Sequence, residues 1–244
     1  MTIQTNAADI VTVSAMGQVA NPSLSGLPAE PYRLDADGKA FLWPTFGGIV
    51  YNVSVGDSAF GWVGDCIHPS VSIAHSDANK NRGLNVFACI GNDAMITSGA
   101  AKGARGVVTG KSGRFSDQVI IHFDVETRRK LAVDDQILVK SEGVGLAVPD
   151  CPDVAFKSLS PHLFDALPKK MESGALMMGV CGIVPPHFVG AGAGLTSEGG
   201  SLHIQSTDRA ELAKHGLDGL RLGDVVAIQD TDRRYNHGYL RGNE

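Results

Sequence analysis

The chain of 244 residues is long enough to bury a sizeable core, as one large domain or as two smaller subdomains. Its formal net charge of -5, without a run of five or six Lys or Arg, argues against a nucleic-acid partner or an anionic membrane surface. The sequence contains no apolar stretch of about 18 residues and no basic N-terminal region that leads into an apolar one, so we expect no membrane association and a cytoplasmic location.

The four cysteines, Cys66, Cys89, Cys151 and Cys181, lie far apart and form no CxxC pair. This spacing favours a reducing compartment over a disulfide framework. Thirty glycines, without a dominance of Leu, Glu and Lys, favour many tight turns. We therefore expect a mainly β protein with a barrel-like sheet and a few short helices.

The N-terminal half contains several apolar runs that predict strands. Residues 9–20 predict a first strand, and the almost unbroken Val and Ile row at 49–55 predicts a central strand buried on both faces. Residues 104–110 and 117–126 predict two more strands, separated by a Ser-Gly turn. His122 falls inside the last of these, where a structural role is expected.

An apolar run, a turn, an Asp and a second strand follow one another at three places in the chain. Asp57, Asp135 and Asp224 occupy the turns, and we interpret them as turn formers, because Asp bonds its own backbone ahead of a strand. Their separations are unequal, which favours barrel corners over a solenoid.

Three prolines between 149 and 161 mark a change in character, which predicts a boundary between an N-terminal segment, 1–149, and a C-terminal β/α segment, 150–244, packed on it. In the second segment, Ser160 followed by Pro161 predicts a short helix. Residues 207–216 predict another helix that Gly216 ends. Apolar strand-like runs precede and follow the second helix.

The turn at Asp65, Cys66 and His68 is the strongest candidate site. In an extended chain Cys66 and His68 project to one face, which suits a nucleophile with its base, a metal-ligand pair or a structural hydrogen bond. Asp65 would lie on the opposite face or in the turn. No complete metal-ligand set is evident, although His75 and His187 are available.

A second set of polar groups follows two dozen residues later. Asn92 and Asp93 are expected either to bind a substrate or to stabilise their loop, and Lys102 either to neutralise an anionic substrate or to be solvated. Cys89, in apolar surroundings, is expected to be a small buried residue. His187 precedes a Gly-rich stretch, 190–200, that we interpret as a loop able to close over a site.

The sequence resembles the bacterial and archaeal family called domain of unknown function 4438. The resemblance rests on residues 44–72, 88–113, 144–154 and 220–235, and it runs in order through most of residues 10–240. It implies an N-terminal and a C-terminal segment of one compact, β-rich protein, and no established reaction.

This chain departs from the family pattern at the candidate turn. Cys66 stands where relatives typically have His, and His68 where they typically have Glu, so we expect a site that is retained but altered. The chain also ends earlier than its relatives, as a C-terminally shortened member would.

Residues 199–206 and 220–230 are similar to the metal-dependent acetamidase and formamidase group.

These observations lead to a prediction of function. We expect an enzyme that cleaves or rearranges a C–N or C–O bond of a small polar metabolite, of a hydrolase or lyase type, with Asp65, Cys66 and His68 as catalytic residues. Asn92, Asp93, Lys102 and His187 would bind the substrate. The alternatives are a non-catalytic small-ligand-binding protein and a metal-dependent amide hydrolase. We expect either no cofactor or a divalent metal. We also expect a homo-oligomer, because strand edges need closure or association.

Overall fold

The computed structural model describes residues 3–23, 33–34, 37–64, 66–112, 117–189, 202–204, 206, 208–229, 231–232 and 239–240. The strands are β1 (Val13–Val19), β2 (Arg33–Leu34), β3 (Ala40–Phe41), β4 (Val71–Ala74), β5 (Asp93–Ile96), β6 (Arg105–Ser112), β7 (Gln118–His122), β8 (Gln136–Ser141), β9 (Lys169–Glu172), β10 (Ala175–Met178), β11 (Gly182–Val184), β12 (Val226–Ile228), β13 (Thr231–Asp232) and β14 (Tyr239–Leu240). The helices are α1 (Ala78–Phe87), α2 (Val125–Lys130), α3 (Pro161–Ala166) and α4 (Arg209–Lys214), with 3₁₀ turns at Ala7–Asp9 and Pro186–Phe188.

Six strands close into an antiparallel barrel in the order β1-β4-β7-β6-β5-β8, with β8 pairing back onto β1. Met16 lies opposite Leu138 across the closing pair, and Val107 lies opposite His122 between β6 and β7. Closure removes the exposed strand edges that an open sheet would present. The predicted mainly β, barrel-like fold with few short helices is confirmed.

The barrel core consists of aliphatic residues, most of them branched, and one aromatic residue, Phe123, all of which are almost completely inaccessible to solvent. Helix α1 packs across β1 and β7 and contributes Leu84 to this core. Gly17 on β1 permits the close approach, because an added Cβ there would lie 2.8 Å from Leu84 Cδ2. A residue with a side chain at this position would therefore force the Leu84 side chain to move.

The prediction of a central strand at 49–55 is wrong. Only Ile49 makes an isolated bridge, to Val71, and Tyr51 is half exposed. Gly47 and Gly48 have φ angles of 88° and 81°, so the chain enters this segment from a left-handed rather than an extended conformation. The Arg128 guanidinium donates to Val50 O and Val53 O, and the backbone of Ser70 also bonds Val50 N and Val53 O.

The three Asp turns are confirmed as one repeated device. In each, the Asp carboxylate accepts a hydrogen bond from the backbone N–H three residues earlier. The pairs are Ser54 with Asp57, Ala132 with Asp135, and Arg221 with Asp224, at 2.8, 2.9 and 2.8 Å. These carboxylates therefore have structural partners at the barrel corners and in the C-terminal part.

The two helices predicted in the C-terminal half are also confirmed. Ser160 caps α3 by accepting from Leu163 N, and Asp208 caps α4 by accepting from Glu211 N. Gly216, with φ 67°, follows α4 as expected for a helix end. Short-range capping chemistry thus sets the ends of both helices.

A second hydrophobic cluster gathers Val184, Phe188, Leu212, Leu217 and Leu220 in the C-terminal part. Residues 54–60 join it to the N-terminal part, since Gly56 N donates to Leu222 O and Ala59 N to Leu220 O. A third cluster surrounds Phe164.

The boundary at 149/150 stays a prediction. In the described part of the chain, every helix is too short or too polar to cross a bilayer.

Candidate metal centre

His68 lies on the loop that leads into β4, and it is buried, with 4 % of its surface exposed. Its Nδ1 lies 2.8 Å from Ser72 Oγ, and its ring packs against Phe46 at 5.7 Å between centroids. Burial lowers the pKa of His68 to about 4, and a side-chain hydrogen bond with Gln118 offsets this only in part. At neutral pH the imidazole is therefore uncharged and enclosed.

The other two members of the predicted catalytic turn differ in placement. Cys66 is partly exposed and has a φ of 52°, so the chain is left-handed there and Cys66 and His68 do not form the expected extended pair. Asp65 lies outside the described residues. The structure therefore gives no shared extended face to a thiol and an imidazole.

Asn92 is buried, and both its amide oxygen and its amide nitrogen bond backbone groups. Oδ1 accepts from Cys89 N at 2.7 Å and from Glu142 N at 3.3 Å, while Nδ2 donates to Glu142 O at 2.7 Å. Of the two roles expected from sequence, the loop-stabilising role fits these contacts. Cys89 itself is completely buried, as expected for a small apolar residue.

Asp93 and Lys102 are both exposed to solvent. Asp93 begins β5 and pairs with Val107 in the barrel. Lys102 lies in the turn after β5, where its backbone N–H donates to Gly99 O. Among the described residues, no hydrogen bond, ion pair or ring contact links His68, Asp93 or Lys102 to His187. The structure therefore does not bring these predicted site residues together in one site.

His187 is brought together with two residues that the sequence did not single out as ligands. Its imidazole, the Glu211 carboxylate and the His215 imidazole each offer a ligand atom, and these atoms all lie within 4.8 Å of one another. His187 and His215 are exposed and Glu211 is partly buried. Ligands on one zinc ion at about 2.1 Å lie about 3 to 3.5 Å apart, so small side-chain rotations would close the set.

The scaffold behind this cluster is well packed. His187 belongs to the 3₁₀ turn that buried Phe188 anchors, and the Phe188 ring meets the His215 ring edge-on at 5.4 Å. Glu211 and His215 are four residues apart on α4 and its C-cap, which places them on one face. Leu212, completely buried, fixes that short helix against the core.

The charges at the cluster favour an ionised carboxylate. A hydrogen bond from Lys214, with Nζ 2.6 Å from Oε2, is the main reason why the pKa of Glu211 is lowered, and His215 adds to the effect. The same contact raises the pKa of Lys214. His215 Nε2 lies 3.4 Å from Glu211 Oε1. Each oxygen of the Glu211 carboxylate thus already has a nitrogen atom close to it.

Two imidazoles and one carboxylate form a donor set that suits Zn²⁺ and related divalent transition metals. No metal ligand was assigned from the sequence, in which Glu211 and His215 lie within the helix predicted at residues 207–216. The available signal was the Glu-x-x-x-His spacing on a predicted helix, which presents both side chains on one face. His187 comes from another element, and only the folded chain brings it to that face.

Comparison with known proteins places the chain in a family. The model described as domain of unknown function (DUF4438), N-terminal, matches residues 32–165, and the one described as DUF4438, C-terminal, matches residues 166–244. The crystal structure of TM1086 is similar, with 37 % sequence identity and a TM-score of 0.88 over 98 % of this chain and 82 % of that one. No curated protein matches the sequence. On these matches, the chain belongs to the DUF4438 family.

Proposed function

We propose that the protein binds a divalent transition metal at His187, Glu211 and His215 and uses it to hydrolyse a C–N bond of a small polar substrate. The observation that carries the proposal is the convergence of three ligand atoms, from two elements, within 4.8 Å. Catalytic zinc sites typically use three protein ligands of this kind and keep a fourth position open. The partial exposure of all three residues leaves room for such a position.

A metal held there would supply Lewis acidity to a substrate carbonyl and would acidify a bound water. The chain's own residues would hold and orient it: Phe188 and Leu212 fix the two elements, and Lys214 keeps Glu211 ionised. The similarity of residues 199–206 and 220–230 to metal-dependent acetamidases and formamidases supports amide hydrolysis as the reaction class.

The acid/base site predicted at Asp65, Cys66 and His68 has less support. A general base works best when its pKa lies near the working pH, whereas that of His68 is about 4 and its ring is enclosed. The sequence predicts cleavage or rearrangement of a C–N or C–O bond; of these we keep C–N bond cleavage and assign it to other residues.

Calorimetric titration of chelator-treated protein with Zn²⁺ tests the binding step. We expect one site per chain, and at least a tenfold weaker Kd in each of H187A, E211Q and H215A. The matched control is H162A, which removes an exposed histidine on α3 that is not one of the three candidate ligands. Equal affinity in the wild type and all three variants would refute the site.

The catalytic step is tested with formamide, acetamide and a panel of small amides, by ammonia release from the zinc-loaded protein. We expect turnover in the wild type and in H162A, and loss of turnover in E211Q. Zinc binding without turnover of any amide, together with thermal stabilisation by a small ligand, would favour the non-catalytic binding protein instead.

A further inference from the structure

A lysine and a serine from distant parts of the chain meet beside the barrel. Lys111, near the end of β6, donates from Nζ to Ser158 Oγ at 2.8 Å. The same Nζ lies 3.4 Å from Val86 O, in the last turn of α1. Both side chains are half-buried, which keeps them reachable while limiting their hydration. Ser–Lys pairs at this distance form the nucleophile and base of a known class of hydrolytic sites.

The backbone at Ser158 is held in an unfavourable conformation. Its φ is 53°, in the left-handed region, which is energetically unfavourable for a non-glycine residue. Its carbonyl accepts a short hydrogen bond from Ile90 N at 2.7 Å, and Leu159 makes a parallel bridge to Ile90. Such strain persists only where neighbours enforce it, and nucleophilic serines on sharp turns show the same feature.

Lys111 and Ser158 lie on different structural elements from the three candidate metal ligands. His187, Glu211 and His215 lie on a 3₁₀ turn and α4 around the C-terminal hydrophobic cluster, whereas Ser158 is fixed to Ile90 in the loop that precedes β5. Lys111 belongs to a barrel strand. The two candidate sites are therefore built from separate sets of residues, and each can be tested without the other.

We propose that Ser158 is a nucleophile and Lys111 its general base, in a second site that takes an acyl group from a small ester. Ser158 Oγ attacks the ester carbonyl while its proton passes to the uncharged amine of Lys111. The C–O bond to the leaving alcohol breaks, and the alcohol takes that proton from Nζ. Water then attacks the acyl-serine, gives its proton to Nζ, and releases the carboxylic acid as Oγ regains a proton.

The contacts also allow a simpler role, in which Lys111 only ties α1 to the Ser158 loop. Two variants separate the roles. K111R keeps a donor for Ser158 and Val86 but cannot serve as a base, because a guanidinium does not deprotonate in proteins. S158G removes the hydroxyl at a position where glycine is the preferred residue, so it should fold at least as readily as the wild type.

The experiment is covalent labelling of chelator-treated protein with a fluorophosphonate probe, followed by peptide mapping, and a p-nitrophenyl acetate assay. We expect labelling of the wild type at Ser158, none in S158G, and a labelling rate lower by about a hundredfold or more in K111R. S98A, which removes another hydrogen-bonded, partly exposed serine, should be labelled as the wild type is.

Labelling of K111R at the wild-type rate would overturn the base role, and failure of the wild type to label above the S158G background would overturn the site. Since the protein is free of metal throughout, neither result depends on the proposed metal centre.

Discussion

The imidazole of His68 gives the folded protein a pH dependence whose sign is fixed by burial. In the unfolded chain a histidine takes up a proton near pH 6.5, whereas in the folded protein His68 does so only near pH 4. The contribution of uncharged His68 to the unfolding free energy is complete above pH 6.5 and is lost as the pH falls toward 4. By pH 5 the loss from this one group is about 2 kcal/mol.

The H68Q variant should remove that pH dependence while keeping an amide to bond Ser72. We expect the fall in unfolding free energy between pH 7 and pH 5, measured by urea denaturation, to be smaller by about 2 kcal/mol than in the wild type. H162Q, at an exposed position on α3, should fall as the wild type does. Identical pH dependence in H68Q and the wild type would show that His68 is not desolvated.

Asn92 is expected to act on stability rather than on ligand affinity. Replacing it by Ala leaves Cys89 N–H and both backbone groups of Glu142 without their buried partner. We expect N92A to lower the unfolding free energy by about 2 to 4 kcal/mol, measured by urea denaturation. Its exposed neighbour serves as control, and D93N should change stability little. A fully stable N92A would reopen the substrate-binding role predicted from sequence.

At the scale of elements, Arg128 replaces the missing central strand. From α2 its guanidinium donates to Val50 O at 2.7 Å, to Val53 O at 3.2 Å and to Ser54 Oγ at 2.7 Å. Arg128 is 3 % exposed, so these bonds form in a poorly hydrated environment. Together with the backbone of Ser70, this side chain holds an irregular segment that the sequence predicts to be a strand.

We expect R128M to lower the unfolding free energy by about 3 kcal/mol or more, since bonds to a charged donor are each worth about 1.5 to 3 kcal/mol. Hydrogen exchange at residues 50–54 should rise more than exchange in β7 or β8. R129M is the matched control, because the adjacent Arg129 is exposed and pairs only with Glu126 among its described contacts. Unchanged exchange at 50–54 in R128M would show that other contacts fix the segment.

Sequence patterns predicted the helices and turns that are stabilised by residues close to one another in the chain. Helices α3 and α4 have their caps within three residues, and each Asp turn closes on itself, so all were readable from sequence. Helix α1 was not, because its asparagines are poor helix formers. Asn81 and Asn85 both donate to Asp117 O, a partner more than thirty residues away.

The candidate site likewise has parts that could be predicted from local sequence and parts that could not. The sequence drew attention to His187, and the spacing of Glu211 and His215 was visible, but their meeting depends on the packing of Phe188 and Leu212 in one cluster. The Cys66–His68 pair failed as an extended unit for a backbone reason, the left-handed φ at Cys66. No local pattern announces that angle at a non-glycine residue.

At the scale of the whole molecule, the barrel and the C-terminal cluster are joined through residues 54–60. Backbone bonds from Gly56 and Ala59 reach Leu222 and Leu220, and Arg221 Nη1 donates to Gly56 O. Phe60 and Ala59 also pack against the C-terminal cluster. Since these ties include backbone bonds on both sides, we expect the two parts to unfold together.

A metal bound at the site proposed at His187, Glu211 and His215 would show whether the two parts unfold together. A ligand that binds only the folded state at 100 times its Kd adds about 2.7 kcal/mol to the unfolding free energy. We expect one calorimetric transition in the apo protein, moved upward as a whole by Zn²⁺, and no such movement in E211Q. Two transitions, of which zinc moves only one, would mean that the ties at 54–60 do not transmit stability to the barrel. In that case the predicted boundary near 149 would separate independently folding units, and the metal would stabilise the C-terminal one alone.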